Sequence, residues 1–321
     1  MTARKHQLIA ALTFMLSLAP VLLAQEEQRV LLRARFKPQD KTVLLIGKSD
    51  ADRNKIVLFQ TRLRVNTDGA PNSYHPVDLQ GSVKAINNIC NAISVRLVSN
   101  GEKQPCAKAI EVFKKFRDDD WTVPGEYRIT WNNVIATRVE GDRKIPCVFR
   151  SGEYKGYLGS LTRLQNDLPQ RKRNECEANN QLDERFIPAL VLAGGVSPLS
   201  EFGAGVGDLL VALNPQTGVV SAAIIGDTGP EDNLGEGSVA LNMTLLGVSR
   251  QPTNYSEAKR LDTGSQEILI AIIPRSRLFQ TTKPYTKDNI QRRVRNWQRA
   301  AGFDTPEKFI ELMKRFQPEL P

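Results

Sequence analysis

A mainly β, α+β fold is predicted: a compact, barrel-like β domain with a few helices and a C-terminal helical tail. Two observations lead there. Short runs rich in Val, Ile and Leu recur along the body, each bounded by Gly, Pro, Asn or Asp. Helical spacing of apolar residues, by contrast, is confined to two body segments and the tail. Many short strands with few helices favour a barrel or compact sandwich over a doubly wound sheet.

Taken in order, Arg4 and Lys5 precede an apolar run from Leu8 to Leu23 that leads into Ala24 and Gln25. This is the pattern of a signal peptide over residues 1–24. The run contains Pro20 and is short for a membrane anchor, and no later stretch is long and apolar enough to span a bilayer. A secreted or periplasmic protein is expected. Strands are expected over Arg29–Arg35, Thr42–Ile46, Lys55–Val65, Tyr127–Trp131, Phe186–Ala193, Asp208–Leu213, Val219–Ile225 and Ile268–Ile273. Asn214 to Gly218 reads as a hairpin loop ending in glycine. Helices are expected over Lys108–Asp118 and over Val239–Leu246, where Ser238 can cap the start and Gly247 the end. Leu164–Asp183 is polar and reads as an exposed loop or insertion.

The main domain is expected over residues 25–277 and a basic helical tail over 278–321. In the tail, Lys287–Ala301 carries Ile290, Val294 and Trp297 at helical spacing, and Phe309, Leu312, Met313 and Phe316 form a second stripe behind the Thr305-Pro306 start signal. The formal charge is +9, and Pro274–Pro321 holds eleven Lys/Arg against five Asp/Glu, so most of the excess sits in the tail and the body is close to neutral. The tail reads either as a helical hairpin packed on the body with a solvated basic face or as a docking element for an anionic surface.

Residue counts exclude whole classes of chemistry. His6 lies in the leader, so the mature chain has one histidine, His75. A zinc site with several histidines is impossible, and a histidine-dependent nucleophile would have to use His75. Cys90, Cys106, Cys147 and Cys176 are an even set with no CxxC pair, which fits two disulfides in any of three connectivities.

Carboxylates are the chemistry left. Gly226–Ser238 (GDTGPEDNLGEGS) holds Asp227, Glu231, Asp232 and Glu236, several glycines and no Lys or Arg. Asp227 ends an apolar strand, and Glu236 lies just before a capped helix whose dipole favours its ionised form. An acidic surface turn or a loose calcium loop would also have this composition, although EF-hand spacing is lacking. A second polar stretch, Asn66–Asp78, follows the Lys55–Val65 strand and contains Asp68, Tyr74 and His75. Those residue types in one turn suit a binding rim.

Together these stretches resemble the fungal-type chitosanase family, glycoside hydrolase family 75, and its bacterial relatives. The resembling pieces occur in the family's order: Asp68-Gly69-Ala70-Pro71 with Tyr74-His75-Pro76, Ile187–Leu192, Gly207-Asp208-Leu209, Gly226-Asp227-Thr228-Gly229-Pro230, and Gly235–Leu241. Asn66 stands where the family often has an aspartate, and the tail lies outside the pattern. The resemblance implies a monomeric, endo-acting, inverting hydrolase of a β-linked amino-sugar polymer such as chitosan. It places the catalytic pair on Asp227 and Glu236 and substrate contacts on Asp68, Tyr74, His75 and Asp208. No cofactor, metal or nucleic acid is called for, because one carboxylic acid and one carboxylate suffice for glycoside hydrolysis. An acidic loop on a near-neutral body would suit a cationic polymer, with the basic tail screened beyond a Debye length of ~8 Å. A non-catalytic carbohydrate-binding protein on the same scaffold and a peptidoglycan-directed hydrolase are the other readings of these residues.

Overall fold

The computed structural model describes residues 27–165, 176, 181–279 and 283–320. The expected signal peptide, and most of the Leu164–Asp183 insertion, lie outside the described residues. The strands are β1 (Arg29–Phe36), β2 (Lys41–Gly47), β3 (Ile56–Thr61), β4 (Arg64–Asn66), β5 (Ser94–Leu97), β6 (Tyr127–Thr130), β7 (Thr137–Glu140), β8 (Arg143–Pro146), β9 (Ala189–Leu192), β10 (Leu209–Leu213), β11 (Val220–Thr228), β12 (Glu236–Ser238) and β13 (Ile268–Ile272). The α-helices are α1 (Cys106–Asp118), α2 (Pro198–Glu201), α3 (Val239–Leu246), α4 (Tyr255–Lys259), α5 (Lys287–Ala300) and α6 (Pro306–Phe316).

Nine strands form one mixed sheet in the order β1-β2-β3-β13-β10-β11-β9-β12-β4. The mainly β, α+β composition is as expected. The sheet is open, with β1 and β4 at its edges, rather than a closed barrel. The near-continuous apolar runs have a simple cause: both faces are covered. Leu44 and Ile46, Ile56 and Leu58, Leu209, Val211 and Leu213, and Leu269 and Ala271 point to one face, where α5 and α6 pack Ile290, Val294, Trp297, Phe309, Met313 and Phe316 against them. The alternate residues Val43, Val57, Phe59, Leu210, Ile270 and Ile272 point to the other face and meet Leu199 of α2 and Leu241 and Leu245 of α3. The tail is therefore a packed hairpin with an exposed basic outer side. It shares a core with the sheet, and a boundary at residue 277 cuts through that core.

The expected Lys55–Val65 strand is two strands. Arg62 and Leu63 break it, and β4 crosses to the far edge to pair in parallel with β12. Gly235 makes this crossing possible: its φ is +120°, and a Cβ there would lie 2.1 Å from the Arg62 carbonyl oxygen. Between β4 and β9 the chain builds a lobe with its own apolar cluster, where Phe113 and Phe116 of α1 pack on Trp131 and Val95. Cys90 bonds to Cys106 at the start of α1, and Cys147 bonds to Cys176. Among the described residues no helix is long and apolar enough to cross a membrane.

Candidate active site

Val191 in β9 pairs with Asp227 of β11 on one side and with Glu236 of β12 on the other. The two carboxylates thus occupy one rung and one face of the sheet, their backbones two strand spacings, or about 9.5 Å, apart. A bulge is what turns Asp227 to this face. The β11–β9 register shifts between Ile225 and Asp227. Ile225 and its partner Leu190 point into the core under α3. In a regular strand Asp227 would point the same way, two residues on. The extra residue, Gly226, moves it to the opposite face beside Val191. Ser238 anchors the other arm: its hydroxyl accepts from Ala189 N at 2.9 Å and caps α3 through Leu241 N at 3.1 Å.

Both carboxylates open into a cleft of about 770 Å³, whose lining also includes Asp68, Tyr74, Arg64 and Arg163. Asp227 Oδ1 accepts from Thr228 N at 2.7 Å and Arg163 N at 3.3 Å. Burial outweighs these donors and pushes its pKa up to about 6. Glu236 Oε1 accepts from Asn233 Nδ2 at 2.6 Å and faces Arg64 at 3.9 Å. Burial raises its pKa too, but Arg64 and Asn233 pull in the ionised direction.

Asp68 lies just past β4 and accepts from the Tyr74 hydroxyl at 3.0 Å. Asn87 Nδ2 in turn donates to that hydroxyl at 2.8 Å, so a buried chain fixes one Asp68 oxygen. Desolvation and the nearby Asp227 charge push the Asp68 pKa up to about 8. Asp68 is therefore a neutral acid at neutral pH and can donate a hydrogen bond into the cleft.

Two expected site residues are not brought to the cleft. His75 is buried; its Nδ1 accepts from Val77 N at 3.2 Å, and its ring packs edge-on against Tyr157. It holds a turn together instead of forming a rim. Asp208 is fully buried and accepts from Gly205 N, Arg275 N, Arg277 N and Arg277 Nη1, tying the β10 entrance to the end of β13. Its charge is consumed by that knot.

One residue of the cluster was not among the expected ones. Glu184 is fully buried behind the cleft floor, with Oε2 accepting from Asn66 Nδ2 at 3.0 Å. Desolvation, then Asp227, Asp68 and Glu236, push its pKa well above the usual carboxylate range. The amide at Asn66 suits this neighbour, since a second carboxylate there would repel it. In sequence Glu184 sits in the charged run Asp183-Glu184-Arg185, between the expected insertion and the expected Phe186–Ala193 strand, and nothing in that run announces burial. Among the described residues no cluster of His, Cys, Asp and Glu is arranged to hold a metal ion. No protein-family model matches the chain, and no curated protein matches it either.

Proposed function

We propose that the protein is an exported glycoside hydrolase acting on a β-linked amino-sugar polymer, with Asp227 as general acid and Glu236 as general base. The observation that carries this reading is the placement of both carboxylates on one rung, either side of Val191, at the floor of an open cleft. Backbones two strand spacings apart on one face leave room between the two side chains for the water that an inverting enzyme admits. The resemblance of the surrounding motifs to chitosanases supports the substrate class, and the leader pattern with two disulfides supports export.

Asp227 is suited to acid work because burial keeps its proton up to about pH 6. Burial raises the Glu236 pKa, but Arg64 and Asn233 oppose that rise and favour its carboxylate, which suits it to base work. Asp227 gives its proton to the glycosidic oxygen as the bond from C1 to that oxygen breaks. Glu236 takes a proton from a water whose oxygen bonds to C1 from the opposite side. One water is consumed, and the turnover leaves Asp227 ionised and Glu236 protonated. Asp227→Asn and Glu236→Gln keep side-chain size and remove one ionisable group each. Each should lower turnover on partly acetylated chitosan by at least ~10²-fold while the chain still unfolds in one cooperative transition. Near-native activity in either folded variant would remove that residue from its role.

A further inference from the structure

The cleft is less acidic than the loop that forms its floor. Arg64, Arg163 and Lys259 line it together with the carboxylates. Lys259 is paired with Asp262 at 2.6 Å, and Arg64 faces Glu236. The Arg163 guanidinium is different: it is exposed, lines the cleft, and makes no close ion pair among the described residues, its charge acting on Asp227 at longer range. A fully deacetylated amino-sugar polymer is a dense polycation, and a guanidinium in the cleft beside the acid would repel it.

Next to Arg163 stands a turn made of two asparagines. Asn132 and Asn133 both have positive φ, 47° and 58°, and Val134 N closes the turn on Trp131 O at 2.9 Å. Asparagine tolerates this conformation better than most residues. Both are exposed and line the cleft, and among the described residues neither side-chain amide has a hydrogen-bond partner. Leu161 N donates to Val134 O at 2.8 Å, which holds this turn against the strand of chain leading to Arg163. Arg163 N in turn bonds Asp227. One wall, continuous with the proposed acid, thus presents the N–H donors of two amides and a guanidinium, none of them hydrogen-bonded among the described residues.

We propose that Asn132, Asn133 and Arg163 form a recognition wall for an oxygen acceptor carried by the sugar, so that the substrate is an N-acylated or carboxylate-bearing amino-sugar polymer rather than a bare polycation. This rests on the hydrolase reading for its sugar, but its test needs only binding. Glucosamine tetramers in three forms, fully deacetylated, N-acetylated and N-carboxymethylated, are titrated calorimetrically into the full chain carrying Glu236→Gln. The expected result is tighter binding of a substituted tetramer by on the order of tenfold, the scale of one hydrogen bond involving a charged group. A neutral acetyl source gives its advantage with the acetylated tetramer, and an acid source gives it with the carboxymethylated one.

Two further variants locate the effect. Arg163→Gln leaves the backbone N–H on Asp227 in place. The double variant Asn132→Gly, Asn133→Gly keeps the positive φ and removes only the amides. Either should bring the substituted tetramer down to the affinity of the deacetylated one. Tightest binding of the deacetylated tetramer, no binding of any tetramer, or an undiminished preference in both variants would overturn the wall. Preferential binding by this wall with no hydrolysis by the unmodified chain would instead overturn the hydrolase reading and leave the wall standing.

Discussion

Gly226 and the residues around it set the chemistry at the scale of single side chains. One inserted residue turns Asp227 out of an apolar core and onto the rung of Glu236. Burial then raises its pKa to about 6. If Asp227 is the acid, kcat/KM should be highest in mildly acidic solution and fall as pH rises through about 6, as the required proton is lost. A pH–rate profile checks this, and activity that rises through pH 6 would exchange the two roles. Asp68 gives an independent prediction through stability. Its folded pKa of about 8 is above the ordinary carboxylate value, so the folded chain keeps a proton that the unfolded chain releases. Stability should therefore fall as pH rises from about 4 to about 8. Asp68→Asn lacks that proton. Its melting temperature should drop less than the wild type's between pH 5 and pH 8; an equal or larger drop would show that Asp68 titrates normally.

At the scale of elements, β2, β3, β10 and β13 were legible as apolar runs because burial on both faces leaves no polar alternation to confuse with a helix. The α5 and α6 stripes were legible because their apolar residues recur every three or four positions. The site's own elements were harder to read. β12 is three residues long, and β4 is hidden within a single longer β-like run, so the crossing that closes the cleft wall leaves almost no local signal. In the lobe, β6 was legible as the Tyr127–Trp131 run, but its partner β5 and the β7–β8 pair are short and half-polar. Asp227 and Glu236 were legible through their glycine-rich context, but Glu184 was not, because its burial depends on packing by distant residues. The α5–α6 hairpin supplies the element-scale prediction. Trp297 and Phe309 pack edge-on at 5.7 Å over the sheet. Trp297→Ala should destabilise by about 3–5 kcal/mol, read from the urea midpoint. A chain ending at Arg277 would expose one whole apolar face of the sheet and should fail to give a cooperative transition. A stable, cooperatively folding truncation would show that the hairpin is an accessory after all.

Across the whole molecule, the excess of positive charge lies on the tail, away from the carboxylate cluster, although Arg64, Arg163 and Lys259 reach the cleft. The basic residues Lys287, Arg292, Arg295 and Arg299 face solvent on α5, whose apolar side packs on the sheet, while the carboxylates gather where β11, β9 and β12 meet the lobe. Composition showed this division only in outline. Which loop faces which lobe depends on the nine-strand order, which no local pattern encodes. The central claim is that the paired carboxylates on the Val191 rung hydrolyse an amino-sugar polymer. The measurement that tests it most directly is proton NMR of partly acetylated chitosan incubated with the folded wild-type chain and with the folded Asp227→Asn, Glu236→Gln double variant. The wild type should release new reducing ends of inverted anomeric configuration and the double variant none. No new reducing ends from the wild type, or equal release by the double variant, would contradict it.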